Sequence, residues 1–266
     1  MNDSSWRPRA GLPVARSRAA MLKRARKFFE VRNVLEVDTP ILTRFPVTDP
    51  HIASLSASSS LQPELFLHTS PEYRMKQLLA AGFGDIYQIG KVFRDGERGA
   101  SHLPEFTLVE WYRLDFGLKQ IMRDTIEFLA ATLDRPQLEA TAAFKSYDNA
   151  FRETVELDPR EADASQLARC VDAGADLQRA IGDDRDAWLD LVLAERIVSD
   201  FATDRFTVIF HYPKSQAALA RTCPDDTNCA DRFEVFYGNL ELANGFVELT
   251  DADEQLARFE RDQQTR

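Results

Sequence analysis

Residues 92–112 read VFRDGERGASHLPEFTLVEWY, which predicts a β-strand, a charged loop and a second β-strand. Arg94 closes the first strand. The second strand carries Glu110 and Tyr112 on one face, because side chains two apart in a strand point the same way. An arginine presents a planar, permanently charged fork to a phosphate, whereas a carboxylate and a hydroxyl suit a cationic group. The stretch therefore predicts a site that holds a phosphate close to an amine.

The composition is that of an ordinary globular protein. The chain has 266 residues, 44% of them hydrophobic and 29% charged, so we expect a single domain over residues 1–266. Its net charge of -10 disfavours nucleic acid as a broadly bound partner. No apolar run approaches the roughly 20 residues of a membrane-spanning helix, and the first residues lack the apolar core of a signal peptide, so we expect the cytoplasm.

The cysteines Cys170, Cys223 and Cys229 form neither an even disulfide set nor a C-x-x-C pair. The histidines near them are not at zinc-finger spacing. We therefore predict three reduced thiols without a metal or redox role. We expect structural roles for the histidines His51, His68 and His211.

Hydrophobic periodicity predicts the order of the elements. The predicted helices are residues 18–32, a stretch that begins at Pro71, residues 119–133, and a polar, alanine-rich insertion at about 141–201. The predicted strands are residues 34–40, 65–68, 85–93, 206–213, 232–237, 240–243 and 246–249. Gly238-Asn239 predicts a two-residue hairpin turn, and Asn244-Gly245 a second bend. Successive hairpins with helices around them predict an α+β fold with a mainly antiparallel sheet.

Glycine-rich phosphate loops are absent from the sequence, which contains neither G-x-G-x-x-G nor G-x-x-x-x-G-K-[ST]. A nucleotide would therefore be held by side chains and strands.

Four segments resemble motifs of class II aminoacyl-tRNA synthetases, in the form found in lysyl-tRNA synthetases and their short relatives that attach lysine or beta-lysine to elongation factor P. Residues 92–112 resemble motif 2, and Ser70-Pro71-Glu72 resembles the S-P-E substrate segment. Residues 241–248, ELANGFVE, resemble the segment E-L-x-N-G-x-x-E. The helix, strand and proline of residues 18–40 resemble motif 1, which in that family lies at the dimer interface.

The resemblance implies a class II catalytic fold and an amino-acid site. The substrate-binding residues would be Ser70, Pro71, Glu72, Glu110, Tyr112, Asn244 and Glu248. A lysine-like substrate carries two ammonium groups, and each needs a carboxylate partner when it leaves water. Glu72 would face the amine at the reacting end, whereas Glu110, Tyr112 and Glu248 would line the pocket of the side-chain ammonium. Each glutamate alone reads better as a solvated or salt-bridged residue, and only the joint match favours a site.

The resemblance also implies ATP and Mg²⁺. The ATP-binding residues would be Arg94, Asp95, Gly96, Glu97, His102, Leu103, Phe106, Glu241 and Leu242. Catalysis would fall to Arg94 and Glu241, because a positioned arginine stabilises the charge on the α-phosphate in the transition state. Glu241 and Glu248 would be the metal ligands, while Leu242 would fill the core.

Some of these residues have a plainer reading. Arg94 could be a surface arginine paired with Asp95 or Glu97, and His102 could only brace the motif 2 loop. Phe106 would stack on adenine by the resemblance, although phenylalanines most often pack cores. We expect Gly245 to serve only the turn.

The sequence departs from the family in three places. Gly96 stands where lysyl-tRNA synthetases have the glutamate of R-x-E, so Glu97 would take over that contact. Leu103 stands where many relatives have asparagine, which removes one polar contact to ATP. The chain ends in a charged helix before any G-x-G-x-D-R segment that resembles motif 3. We therefore expect a fragment of a longer reading frame, or a protein that binds ATP poorly.

Only about 15 residues precede the motif 1 helix, so we expect no anticodon-binding domain. The resemblance then implies an ATP-dependent ligase that activates (R)-beta-lysine or lysine as an adenylate. It would transfer the aminoacyl group to a lysine of elongation factor P, and we expect a homodimer through motif 1. The alternative is a non-catalytic paralogue that binds an amino acid or a partner protein without adenylation. Aminoacylation of free lysine or of tRNA acceptor ends is a third, weaker possibility.

Overall fold

Nine α-helices and ten β-strands are found in the residues described by a computed structural model, which are 8, 10–49, 52–60, 64–99 and 102–265. His51 lies outside these residues. The helices are α1 Leu12–Glu30, α2 Glu72–Ala80, α3 Leu118–Leu133, α4 Gln137–Ala140, α5 Tyr147–Thr154, α6 Ala164–Cys170, α7 Ala175–Ile181, α8 Arg185–Val192 and α9 Ala252–Thr265. The strands are β1 Leu35–Glu36, β2 Leu42–Thr43, β3 Ser56–Ala57, β4 Leu65–Leu67, β5 Ile86–Phe93, β6 Glu105–Tyr112, β7 Ala143–Ser146, β8 Phe206–Pro213, β9 Cys229–Tyr237 and β10 Leu240–Phe246.

The strands form three sheets, of order β1-β5-β6, β10-β9-β8-β7 and β2-β4-β3. The long pairings β5–β6, β8–β9 and β9–β10 are antiparallel, whereas β1–β5 and β7–β8 are parallel. Tyr237 pairs with Leu240 across Gly238-Asn239, which confirms the predicted hairpin. Antiparallel pairing with helices on the sheets confirms the α+β prediction.

An aromatic core joins α1 and α3 to the first sheet. Phe29 stacks on Tyr87 of β5 with ring centroids 4.1 Å apart, and it also contacts Phe128 of α3. The same core includes Phe233 and Val235 of β9, so it reaches the second sheet. The motif 2 hairpin β5–β6 is thereby packed from behind by two long helices.

A second core lies where residues 141–201 cover the four-stranded sheet. Tyr147, Phe151 and Trp188 from its helices pack with Tyr212 of β8 and Phe236 of β9. The expectation of a wholly helical segment is wrong at its start. Residues 143–146 instead form the edge strand β7, because they extend alongside β8 and pair with it.

The predicted bend at Asn244-Gly245 is also wrong. Strand β10 runs straight through both residues, and Gly245 pairs with Phe233 of β9. A Cβ on Gly245 would lie 2.6 Å from Cζ of Phe233. Position 245 therefore needs a residue without a side chain, because the Phe233 ring packs on its backbone. Gly245 does not form a turn.

Among the described residues, no helix has both the length and the apolar character needed to cross a membrane.

Candidate active site

Three glutamates from distant parts of the chain form the acidic side of the site. Glu72 begins α2, Glu110 lies in β6, and Glu248 follows β10, where it bridges to Ala220. The first turn of α2 is ordered by Ser70, whose Oγ accepts a hydrogen bond from the backbone N of Glu72 at 3.3 Å. The expected convergence of Glu72, Glu110 and Glu248 is visible electrostatically, because both other carboxylates raise the pKa of Glu110.

Lys76 links two of these glutamates. Its Nζ lies 2.7 Å from Oε1 of Glu72, one turn earlier on α2, and 2.6 Å from Oε2 of Glu248. Burial lowers the pKa of Lys76, but Glu72 and Glu248 more than offset this effect, so the net shift is upward. The ammonium of Lys76 therefore sits among carboxylates much as a bound amine would.

Glu110 and Tyr112 lie on one face of β6, as predicted. The Tyr112 hydroxyl donates a hydrogen bond to Oε1 of Glu110 at 2.8 Å. Burial first, and then Glu72, raises the pKa of Glu110 to about 8. Burial also raises the pKa of Glu248 to about 7, although Lys76 opposes the rise. These carboxyl groups hold protons near neutrality, and a cation placed among them would release those protons.

Arg94 follows β5 at the mouth of the motif 2 loop. Its guanidinium lies 5.2 Å from the centre of the Phe106 ring, and Nη1 lies 3.6 Å from Oε1 of Glu97. Its Nε donates to the carbonyl O of Thr69 at 3.5 Å. These protein contacts are all long, so the guanidinium is held near a half-buried ring with its donors largely uncommitted. This arrangement suits a phosphate better than a tight surface ion pair would.

The motif 2 loop is shaped by its backbone. The carboxylate of Asp95 accepts a hydrogen bond from N of Gly96 at 2.9 Å, and among the described residues the carboxylate paired with Arg94 is that of Glu97. Gly96 has φ +77, a left-handed conformation that glycine adopts without strain. The carbonyl of His102 accepts from N of Gly99, which braces the loop. Leu103 is 63% exposed and makes no polar contact to replace asparagine.

Glu241 lies in β10, opposite Phe236 of β9. Although Glu241 is exposed on β10, the protein atoms around its carboxylate, and then Glu234, raise its pKa, while Arg232 and Arg94 oppose the rise. The opposing effect of Arg94 places the arginine and Glu241 within electrostatic reach of each other. Glu248 is paired with Lys76 instead, so the two predicted metal ligands have different charged neighbours.

The expectation that Leu242 fills the core is wrong. Glu241 pairs with Phe236 and Ala243 pairs with Val235, so Leu242 is an extra residue in a β-bulge. The bulge breaks the alternation of faces, and Leu242 is 37% exposed.

Asn244 contacts a polar network on β9. Its Oδ1 accepts from Nε of Arg232 at 3.3 Å, and Nη2 of Arg232 lies 2.6 Å from Oε1 of Glu234. Tyr212 donates its hydroxyl proton to Oε2 of Glu234 at 2.7 Å. Sequence reasoning missed Arg232, Glu234 and Lys76. Lys76 was detectable as a residue four positions after Glu72 on one helix face.

The structure therefore brings Glu72, Glu110, Tyr112 and Glu248 together around Lys76. A second group consists of Arg94, Phe106 and Glu241, and Asn244 is joined to it through Arg232. The first group can bind cationic amines, and the second offers a guanidinium, a ring and a carboxylate to a phosphorylated aromatic ligand. His68 lies nearby but is buried, and its Nε2 is 2.8 Å from O of Lys91, which fits its predicted structural role.

Known proteins are similar to this sequence over nearly its whole length. The family model of the class II tRNA synthetases (D, K and N) matches residues 9–266. The elongation factor P–(R)-beta-lysine ligase of Haemophilus influenzae is 41% identical over 266 residues, which cover 98% of this chain and 81% of the relative. The protein of the same name from Avibacterium paragallinarum is 41% identical over 271 residues, covering 100% of this chain and 83% of the relative. Together these matches make the protein an ATP-dependent ligase. The chain belongs to the class II tRNA synthetases, in the branch that contains the elongation factor P–(R)-beta-lysine ligases.

Proposed function

We propose that the protein activates (R)-beta-lysine, or lysine, with ATP and transfers the aminoacyl group to a lysine side chain of elongation factor P. One observation carries the proposal: Glu72, Glu110 and Glu248 converge from three separate segments into one group, with carboxyl pKa values of about 8 for Glu110 and about 7 for Glu248. Such raised pKa values are typical of functional sites. The names of the relatives in Haemophilus influenzae and Avibacterium paragallinarum support the choice of amino acid and protein partner.

The amino acid would bind with its two ammonium groups among the carboxylates. Glu72 and Glu248 already bind the ammonium of Lys76, which supports their affinity for a primary amine. Glu110, with Tyr112 as its hydrogen-bond donor, is the carboxylate that we assign to the side-chain ammonium. Asn244 is assigned to the substrate carboxylate, because its amide nitrogen is a donor and its oxygen is already used by Arg232.

In the first step, a carboxylate oxygen of the amino acid attacks the α-phosphorus of ATP. The bond to the β,γ-phosphates breaks, which gives an aminoacyl-adenylate and pyrophosphate. Arg94 is assigned to the α-phosphate, since charge develops there and its donors are largely uncommitted. Phe106 offers a ring face to adenine, next to Arg94.

Mg²⁺ supplies neutralisation of phosphate charge when it is bound with ATP. Glu241 fits this role, because its carboxylate lies on the side of Arg94 and has no lysine partner among the contacts that the structure describes. Glu248 is engaged by Lys76 and fits the amino-acid site better.

In the second step, the ε-amine of a lysine of elongation factor P attacks the carbonyl carbon of the adenylate. An amide bond forms, AMP leaves with the bonding electrons, and the amine loses a proton to solvent. We assign this reaction to a cytoplasmic homodimer. The dimer contact would use the exposed apolar residues Leu12 and Val14 of α1, together with Val31 and Leu35. Light scattering during gel filtration measures the dimer directly.

ATP–pyrophosphate exchange tests the proposal. Exchange that depends on (R)-beta-lysine or lysine, and that is lost in Glu110→Gln, supports adenylation at this site. Calorimetric binding of the amino acid without exchange would instead identify a non-catalytic paralogue. Transfer to purified elongation factor P, followed by intact mass, tests the partner separately, with tRNA as the competing acceptor.

A further inference from the structure

A histidine of β8 and two cysteines, one before β9 and one at its start, meet beside the four-stranded sheet. One possible ligand atom from each of His211, Cys223 and Cys229 can be chosen so that all three lie within 4.8 Å of one another. In a tetrahedral zinc site the ligand atoms are about 3.5 Å apart, so the cluster would need to contract by about 1 Å. The residues are 12 and 6 positions apart in the sequence, which explains why no finger-like spacing is visible.

His211 lies at an irregularity in the pairing of β8 with β9. Phe210 pairs with Phe233 and Tyr212 pairs with Ala230, so the strand register shifts at His211. The residue has φ +61, a left-handed conformation that is uncommon outside glycine. The single residue His211 thus lies opposite two residues of β9, Asp231 and Arg232, so the extra residue of the bulge belongs to β9. The histidine was expected to have only a structural role, but its side chain is 40% exposed and reaches the cysteines.

The two cysteines are held opposite each other by a short antiparallel pairing. Thr222 bridges to Ala230, and N of Cys223 donates to O of Cys229 at 2.8 Å. Directly opposed residues in such a ladder project from the same face of the sheet. The connecting loop is ordered by Asp226, whose carbonyl accepts from N of Cys229 and whose side chain binds Arg160.

The three side chains line a cavity of about 230 Å³ with an acidic wall. Four carboxylates line it, those of Asp148, Asp225, Asp226 and Asp231, against the guanidinium of Arg160. Both Asp148 and Asp226 are paired with Arg160, and Asp231 is paired with Arg221, so four carboxylates face two guanidinium groups and a net negative charge remains. The cavity therefore favours a cation.

The donor set selects the kind of cation. Thiolate and imidazole ligands suit Zn²⁺ and other thiophilic metals, whereas Mg²⁺ and Ca²⁺ prefer oxygen. Cys223 and Cys229 are free thiols, and both are buried.

We propose that His211, Cys223 and Cys229 form a binding site for a thiophilic divalent cation of the Zn²⁺ type. Asp231 is placed to complete it, because its Oδ1 lies 3.7 Å from Nε2 of His211 while its Oδ2 accepts from Arg221. The cation would clip the loop 223–229 to β8 and act as a structural element apart from the ligase chemistry. Binding would release the thiol protons.

Zinc binding to the whole chain tests the site. Protein prepared with a chelator and a phosphine reductant is desalted, mixed with equimolar Zn²⁺ and passed through gel filtration, and retained zinc is measured by elemental analysis. We expect one equivalent in the wild type and in Cys170→Ser, whose thiol lies on α6. Cys223→Ser and Cys229→Ser should each weaken binding by at least about tenfold, since even an outer partner of a metal site contributes this much.

Titration of the wild type with Co²⁺ keeps the test independent of how the variants fold. A sulfur-to-cobalt charge-transfer band together with the visible bands of a tetrahedral complex supports the site. Three results would overturn the proposal. One is no retained zinc while all three thiols react with a thiol reagent, and another is equally tight binding in the double variant Cys223→Ser/Cys229→Ser. The third is a Cys223–Cys229 disulfide in protein that was never exposed to added oxidant.

Discussion

Nζ of Lys76 lies 2.6 Å from Oε2 of Glu248, and this contact ties helix α2 to the segment that follows β10. The same ammonium also binds Glu72, so one residue of the chain occupies the acidic group in the absence of a ligand. The negative charge of the proposed amino-acid site is therefore partly neutralised by the ammonium of Lys76. Its stability and its affinity for amines should both depend on pH.

Substitution of Lys76 tests the compensation. Lys76→Met leaves Glu72 and Glu248 facing each other without a cation, so we expect the free energy of unfolding to fall by about 1–3 kcal/mol at pH 8. The loss should be smaller at pH 6, because the carboxyl groups can then accept protons. Urea denaturation at the two pH values measures it. Lys91→Met is the control, since the Lys91–Glu105 pair is exposed, and its effect should stay below about 1 kcal/mol. Equal losses for both variants would contradict the prediction.

Glu110 should make the protein less stable as pH rises. The pKa of Glu110 in the folded protein is about 8, above its ordinary value. At pH values between the unfolded and the folded pKa, the native state therefore holds more protons than the unfolded state. Stability is therefore highest below the unfolded pKa and declines as pH rises through the folded one. Glu110→Gln should stabilise the protein by on the order of 1–3 kcal/mol at pH 8.5 and flatten this decline. Denaturation curves at pH 5.5, 7 and 8.5 decide the matter, and an unchanged slope would count against the assignment.

Amine binding should strengthen with pH over the same range. Glu110 and Glu248, with pKa values of about 8 and about 7, must lose protons before they can pair with an ammonium group. We expect the affinity for lysine or (R)-beta-lysine to rise about tenfold or more between pH 6 and 8.5. Titration calorimetry in buffers of different ionisation enthalpy should show proton release. Affinity that is flat with pH, or no released proton, would be the contrary result.

Arg94 should matter for the rate more than for stability. Its contacts to Glu97 and Thr69 are long, so Arg94→Lys should change the unfolding free energy by less than about 1 kcal/mol. Loss of the planar guanidinium should lower the kcat of pyrophosphate exchange by about a hundredfold or more. Arg205→Lys is the matched control, because Arg205 pairs only with its exposed neighbour Asp204 among the ion pairs that the structure describes. A large effect on KM alone would reassign Arg94 to simple binding.

Gly245 should not tolerate a side chain. The Cβ of alanine would lie 2.6 Å from the ring of Phe233, which is 1% exposed and cannot move freely. Gly245→Ala should therefore cost about 1–3 kcal/mol of stability by overpacking. Gly174→Ala is the control, because its Cβ would meet nothing within 4 Å. Thermal unfolding compares the two, and similar midpoints would show that the ring adapts.

The sequence predicted those elements that depend on neighbouring residues in one segment, such as strand alternation and hairpin turns. The alternation at residues 92–112 placed Glu110 and Tyr112 on one face, and Gly238-Asn239 located the hairpin. The roles of the site residues in binding and catalysis stay predictions.

Features that depend on long-range packing were not predicted. Gly245 reads as a turn residue until the ring of Phe233 is placed on it, and Leu242 reads as a core residue until the bulge is known. His211 approaches two cysteines at a point where the pairing of β8 with β9 is irregular and its own backbone is left-handed. Each of these outcomes depends on a neighbour from another strand, which a periodic pattern in one segment does not contain.

Two consecutive residues of β9 contact different groups of side chains. Asp231 faces His211 and Arg221, while Arg232 faces Asn244 and Glu234. If β9 slipped by one position, Asp231 and Arg232 would exchange places. A carboxylate would then lie beside Asn244, and a guanidinium would enter the cavity beside His211. A change in the length of the Gly238-Asn239 turn should therefore be far more damaging than a substitution in it. A shift of β9 would disturb two unrelated surfaces at once.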